Sequence, residues 1–75
     1  MRNLEKITIK TEYIKLGQFL KFTGLIDSGS EEKSFLQNNK VLVNEVDEQR
    51  RGRKLYPKDK VEVKGQVYEI SKDGN

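Results

Sequence analysis

Neither cysteine nor histidine occurs anywhere in this 75-residue chain. The first absence excludes disulfides and thiolate sites. The second removes the commonest general base and the commonest metal ligand. Ser28, Ser30 and Ser34 therefore have no histidine to activate a hydroxyl, and a serine-hydrolase site is not expected. Glu31 and Glu32 form a carboxylate pair only on paper, because adjacent helix residues do not face each other. There is no GxxxxGK[ST] loop and no GxGxxG turn to cradle a nucleotide phosphate. No stretch approaches the roughly 20 apolar residues of a membrane span. The opening Met1-Arg2-Asn3-Leu4-Glu5-Lys6 has no apolar run of the kind that makes a secretory signal. These absences lead to the expectation of a soluble cytoplasmic protein, monomeric and not an enzyme, with no metal and no cofactor.

Charge is what the chain does have. Hydrophobic residues make up 33% and charged residues 36%, which is lean for a folded protein. The apolar residues are clustered, however, so the chain is expected to fold as one small domain over residues 1–75, with its core between about 7 and 70. A domain of this size buries only about 60% of its unfolded surface. The net charge is +3, unevenly spread. From Arg50 to Lys60 six cations (Arg50, Arg51, Arg53, Lys54, Lys58, Lys60) stand against one anion, Asp59, giving +5 in eleven residues. The acidic side chains gather elsewhere, notably at Glu31, Glu32, Glu45, Asp47 and Glu48. A local basic surface on a near-neutral body points to a directed contact with a polyanion.

The periodicity of the chain predicts its elements. Ile7-Thr8-Ile9-Lys10 alternates as a half-buried strand does. Leu16, Phe19 and Leu20 follow helical spacing from about Lys15 to Thr23, and Gly24 is placed to end that helix. Leu25 and Ile26 are expected beneath it. Ser28 with Glu31 fits a capping box, and Ser30 is the other candidate cap for a second helix from about Ser30 to Asn38. Phe35 and Leu36 face the core from that helix, and Asn38-Asn39-Lys40 ends it through the left-handed conformation that Asn tolerates. Val41-Leu42-Val43-Asn44 is a strand, Glu45 to Gln49 a polar turn, and Leu55 a return to the core after the basic run. Pro57-Lys58-Asp59 is a turn, Val61 and Val63 lie on a strand, and Lys64-Gly65 is the tip of a hairpin leading to Val67, Tyr68 and Ile70. Ser71 to Asn75 is expected to fray. The fold class is α+β: a small single domain in which two short helices pack on a small, mostly antiparallel sheet of four to five short strands.

Taken in order, Leu16-x-x-Phe19-Leu20, Ser28-Gly29-Ser30-x-x-Lys33-x-Phe35-Leu36, Val41-x-Val43-Asn44 and Arg50-Arg51-Gly52-Arg53-Lys54-Leu55 resemble the alpha-L ("S-four" type) RNA-binding domain. The likeness is greatest to the small stand-alone bacterial YaaA-like members, and it spans about Ile7 to Val63. In that family two helices form an L on a small sheet, and RNA lies across the helix pair and the following strand. The resemblance implies RNA contacts from Lys33 on the second helix and from Arg50, Arg51, Arg53 and Lys54 after the strand. It also implies a phosphate near Gly29 and Ser30 at the helix start, and ribosomal RNA or a ribosomal subunit as the partner. Two positions depart from the family. Glu32 stands where members often carry a small residue, and Asn44-Glu45 replaces the frequent Asn-Gly, which implies a looser turn and an acidic stretch beside the basic one.

Each signal has a plainer alternative. The basic run is either a phosphate contact or a solvated hairpin arm, and the surrounding pattern favours contact. Gly52 either lets the backbone approach RNA or makes a turn with positive φ, and the turn is the simpler reading. Lys33 is a phosphate contact or an exposed helix residue, while Lys21 is read as solvated. Tyr56 and Tyr13 either stack on a base or pack beside the core. Two other function classes remain. Val41–Asn44 and Leu55–Val63 resemble pieces of β-grasp sulfur carriers, whose C-terminal Gly-Gly is replaced here by Lys72-Asp73-Gly74-Asn75. A protein-binding adaptor using the basic run on an acidic partner is the other.

Overall fold

Ile7 and Ile9 point one way along the first strand and are buried, while Lys6, Thr8 and Lys10 point the other way and are exposed. The same alternation recurs at Val41/Val43, Val61/Val63 and Tyr68/Ile70, and it dictates a sheet with one face turned to the core. A computed structural model of the chain describes residues 4–73. Met1–Asn3, where the absence of a signal was read, and Gly74–Asn75 at the chain's last positions lie outside the described residues. The main sheet comprises β1 (Leu4–Ile9), β3 (Val41–Val43), β4 (Val46–Asp47), β6 (Lys60–Val63) and β7 (Gln66–Lys72), in the spatial order β1-β7-β6-β3-β4. Every pairing is antiparallel except β1 with β7. A second, two-stranded sheet joins β2 (Ile14–Lys15) to β5 (Lys54–Leu55). Two helices, α1 (Leu16–Phe22) and α2 (Glu32–Asn38), complete the α+β architecture.

Leu16, Phe19 and Leu20 are fully buried along one side of α1, and Leu36 of α2, Ile26 and Leu55 join them against the inner face of the sheet. Phe19 meets Tyr68 edge to face, with ring centroids 5.3 Å apart. Gly24 ends α1 as expected. At φ 83 it donates its N–H to the Lys21 carbonyl, and Leu25 donates to Leu20 (both 3.0 Å), the paired bonds of a left-handed helix terminus.

Four local expectations are corrected. Glu45 to Gln49 is not wholly a turn: Val43 opposes Val46 across a two-residue hairpin, and Asn44 and Glu45 take φ of 51 and 71. The turn is thus tight, of the type that twists with its strands, although glutamate has a Cβ that disfavours this conformation by about 1 kcal/mol. Asn44 compensates. Its N–H donates to the Lys60 carbonyl (2.8 Å), its Nδ2 donates to Asp59 Oδ1 (3.1 Å), and its Oδ1 accepts from the Lys60 N–H (3.0 Å). Asn39 is extended (φ −135, ψ 135) rather than left-handed, and closes α2 by donating Nδ2 to the Phe35 carbonyl (3.1 Å). Ser28 and Glu31 form no capping box. The Glu31 carboxylate accepts from the Asp27 N–H and the Ser28 hydroxyl, and a 3₁₀ turn over Gly29–Glu31 precedes α2. Finally, Ser71 and Lys72 do not fray, because they pair with Thr8 and Ile9 of β1.

Candidate nucleic-acid interface

The basic run is fastened to α1 by its backbone. A turn closes with the Arg53 N–H donating to the Arg50 carbonyl (3.1 Å), after which the Arg51 and Arg53 carbonyls accept from the N–H groups of Gly17 (2.9 Å) and Leu16 (2.8 Å). The first N–H groups of a helix have no partner within it. Here the loop supplies them, so the arginines are carried on a fixed turn at the positive end of α1. β5 continues from the loop and pairs with β2, which sets Lys54 directly opposite Lys15. Like charges facing each other across strands are destabilising, and a lysine at a helix N-terminus opposes the dipole. Both arrangements concentrate positive charge at one place.

Glu48 organises the loop. It is the buried charged residue of the described chain, 7% exposed. Arg50 donates to its carboxylate from Nε (2.9 Å), Nη2 (3.0 Å) and the backbone N–H (3.0 Å), and Arg53 donates from Nη1 (2.9 Å). Hydrogen bonds from the Arg50 side chain are the main reason its carboxyl is lowered from 4.5 to about 2; burial opposes the shift, and the Arg50 N–H and Arg53 reinforce it. The two arginines are not equivalent. Arg50 leaves 75% of its side chain in solvent, whereas Arg53 leaves 32% and also donates Nε to the Lys54 carbonyl (3.3 Å). Arg53 is thus a brace as much as a contact. Arg51 is exposed, and among the described residues its side chain has no ion-pair partner. Lys54 places its ammonium 4.9 Å from the centre of the Tyr13 ring, and Tyr13 and Tyr56 lie 5.8 Å apart.

The second predicted patch lies at the start of α2. Gly29 and Ser30 occupy the 3₁₀ turn, where the hydroxyls of Ser28 and Ser30 share a hydrogen bond (2.9 Å), and Lys33 is exposed on the first turn of α2. Glu32 turns inward: a Cβ on Gly17 would overlap its carboxylate. The start of α1 therefore touches both patches, through the Arg51 carbonyl on one side and Glu32 on the other. A Cβ on Gly29 would stand 3.9 Å from the Lys21 ammonium and 3.6 Å from Glu32 Oε2, so Lys21 reaches the α2 start rather than extending away from it.

Gly52 requires a correction. Its φ is not positive, so the turn does not need glycine, and a Cβ there would meet nothing within 4 Å. Neither a positive φ nor internal space accounts for the residue. Gly52→Val is expected to leave the thermal midpoint nearly unchanged while weakening RNA binding about tenfold, as titration of a labelled hairpin would show. A falling midpoint with intact binding would return Gly52 to a structural role.

Lys15 and the ordering role of Glu48 were not found from sequence, while Lys21, read as solvated, is exposed. The signal for Lys15 was its place immediately before Leu16, at the helix start.

The S4-domain family model matches residues 7–71. This chain belongs to the S4-domain family. The match embraces α1, α2, the hairpin after α2 and the basic loop, the parts whose order carries the resemblance. A relative from Bacillus subtilis (strain 168), the probable ribosome maturation protein RlbA, is 54% identical over 59 residues, or 79% of this chain and 83% of that protein. Among the described residues no helix is long and apolar enough to cross a membrane.

Proposed function

We propose that this S4-domain protein binds structured ribosomal RNA without catalysis and acts in ribosome maturation or association. The observation that carries the reading is the cluster of Arg50, Arg51, Arg53, Lys54 and Lys15 around the first turn of α1, within which Glu48 is ion-paired with Arg50 and Arg53. Arg50, Arg51 and Lys54 supply direct phosphate contacts, with Lys33 and the Gly29-Ser30 turn at the second patch. Arginine suits phosphate because its planar fork matches two oxygens at once. A-form RNA hides its base edges in a deep, narrow major groove, so this small surface tracks phosphates and 2′-hydroxyls and recognises shape. The ribosomal target is supported by the relative's description as a ribosome maturation protein. Crosslinking in cells with sequencing of the bound RNA is the test. Reads concentrated at a few sites in ribosomal RNA are expected; reads spread in proportion to transcript abundance would defeat the proposal.

A further inference from the structure

Beside the basic loop, α1 and the connection from β1 to β2 line a shallow groove of about 660 Å³, widely open to solvent. That volume lies within the range, on the order of 300–1,000 Å³, of sites for small ligands. Ile9, Ile14, Tyr13 and Phe22 give it an apolar, aromatic lining, which Lys10 and the stem of Lys21 join, the Lys21 ammonium itself reaching toward the start of α2. No carboxylate lines it. Phe22 is 60% exposed although it sits on a helix whose neighbours Phe19 and Leu20 are fully buried, so the fold gains little from it. An aromatic groove lined by a cation, Lys10, and by no carboxylate is complementary to a flat heterocycle attached to a phosphate. Tyr13 connects this groove to the interface, since the Lys54 ammonium lies over its ring and Tyr56 lies against it.

Resting on the RNA-binding reading, we propose that the groove receives one unpaired nucleotide of the RNA, its base stacked on Phe22 and Tyr13 and its flanking phosphate beside Lys10. Stacking on an aromatic side chain contributes about 1–3 kcal/mol per base. A base that is already unpaired avoids the cost of leaving a stack. The preferred RNA is therefore a stem interrupted by a bulged nucleotide, not an uninterrupted duplex, and the basic loop holds the adjoining stem.

Two hairpins that differ only in one bulged nucleotide test this against the wild type, Phe22→Ala and Arg51→Ala. The wild type is expected to bind the bulged hairpin about tenfold more tightly, and 2-aminopurine at the bulge is expected to be quenched on binding. Phe22→Ala should lose that preference and the quenching while still binding the paired hairpin and melting at the wild-type temperature. Arg51→Ala should weaken both hairpins alike. If the preference is absent, or survives in Phe22→Ala, while Arg51→Ala still weakens both, the inference is overturned and the groove is left to a protein side chain. If Arg51→Ala weakens neither, the RNA reading fails and the inference falls with it.

Discussion

Glu48→Gln is expected to weaken RNA binding about five- to tenfold even though it makes the protein more positive. Two effects oppose each other. Removing a carboxylate adds net positive charge, worth about 1 kcal/mol toward a phosphate at close range in water. Against this, Glu48 holds the Arg50 and Arg53 side chains and the Arg50 N–H in place. Each freed arginine regains up to about 2 kcal/mol of rotamer entropy that RNA must then remove. Lost positioning outweighs the added charge, so affinity falls. Stability falls as well, by about 1–3 kcal/mol for hydrogen bonds to a charged group. It stays below the cost of breaking a fully buried pair because Arg50 remains 75% in solvent and returns to water when released. The acid limb supplies an independent check. Since the Glu48 carboxyl is lowered from 4.5 to about 2, its contribution is complete above pH 4.5 and disappears as pH falls toward 2. Melting curves of Glu48→Gln should lose that part of the acid dependence. Tighter RNA binding by the variant would make Glu48 a neutraliser of the patch instead of its organiser.

Replacing Arg50, Arg51 and Arg53 together with alanine is expected to reduce RNA affinity on the order of 100-fold, about 1 kcal/mol for each charge-assisted contact. The single substitutions should separate. Arg51→Ala affects binding with little change in melting, because its guanidinium has no ion-pair partner among the described residues. Arg53→Ala also lowers the melting temperature, because Arg53 ties Glu48 to the Lys54 carbonyl. Replacing Lys33, on the second patch, should cost less than the triple change. Equal losses from alanine at Lys6 and Lys72 would mean that the loop is not the principal site.

Elements whose signal is local were legible in the sequence. The spacing of Leu16, Phe19 and Leu20 defines α1, Val41-x-Val43 defines β3, and Arg50 to Lys54 marks the cationic loop. What escaped depends on partners distant in the chain. β2 and β5 are two residues each, too short for any periodicity, so the opposition of Lys15 and Lys54 emerges only when the strands pair. Asn44-Glu45 looked loose because glutamate disfavours positive φ. The bonds from Asn44 to Asp59 and Lys60 that hold the turn tight come from another hairpin. Glu48 sits in the acidic stretch Glu45-x-Asp47-Glu48, where nothing in the residue types distinguishes a buried carboxylate from its solvated neighbours. Only the fold shows that it turns under the arginines.

The salt dependence of binding to a ribosomal RNA hairpin tests the central claim most directly. Four to six phosphate contacts correspond to a log–log slope of roughly −3.5 to −5.5, and each lost contact reduces its magnitude by about 0.9. The wild type is expected in that range, with the triple arginine variant shallower by about two to three. A wild-type slope near zero, or a slope unchanged by removing Arg50, Arg51 and Arg53, would contradict the account.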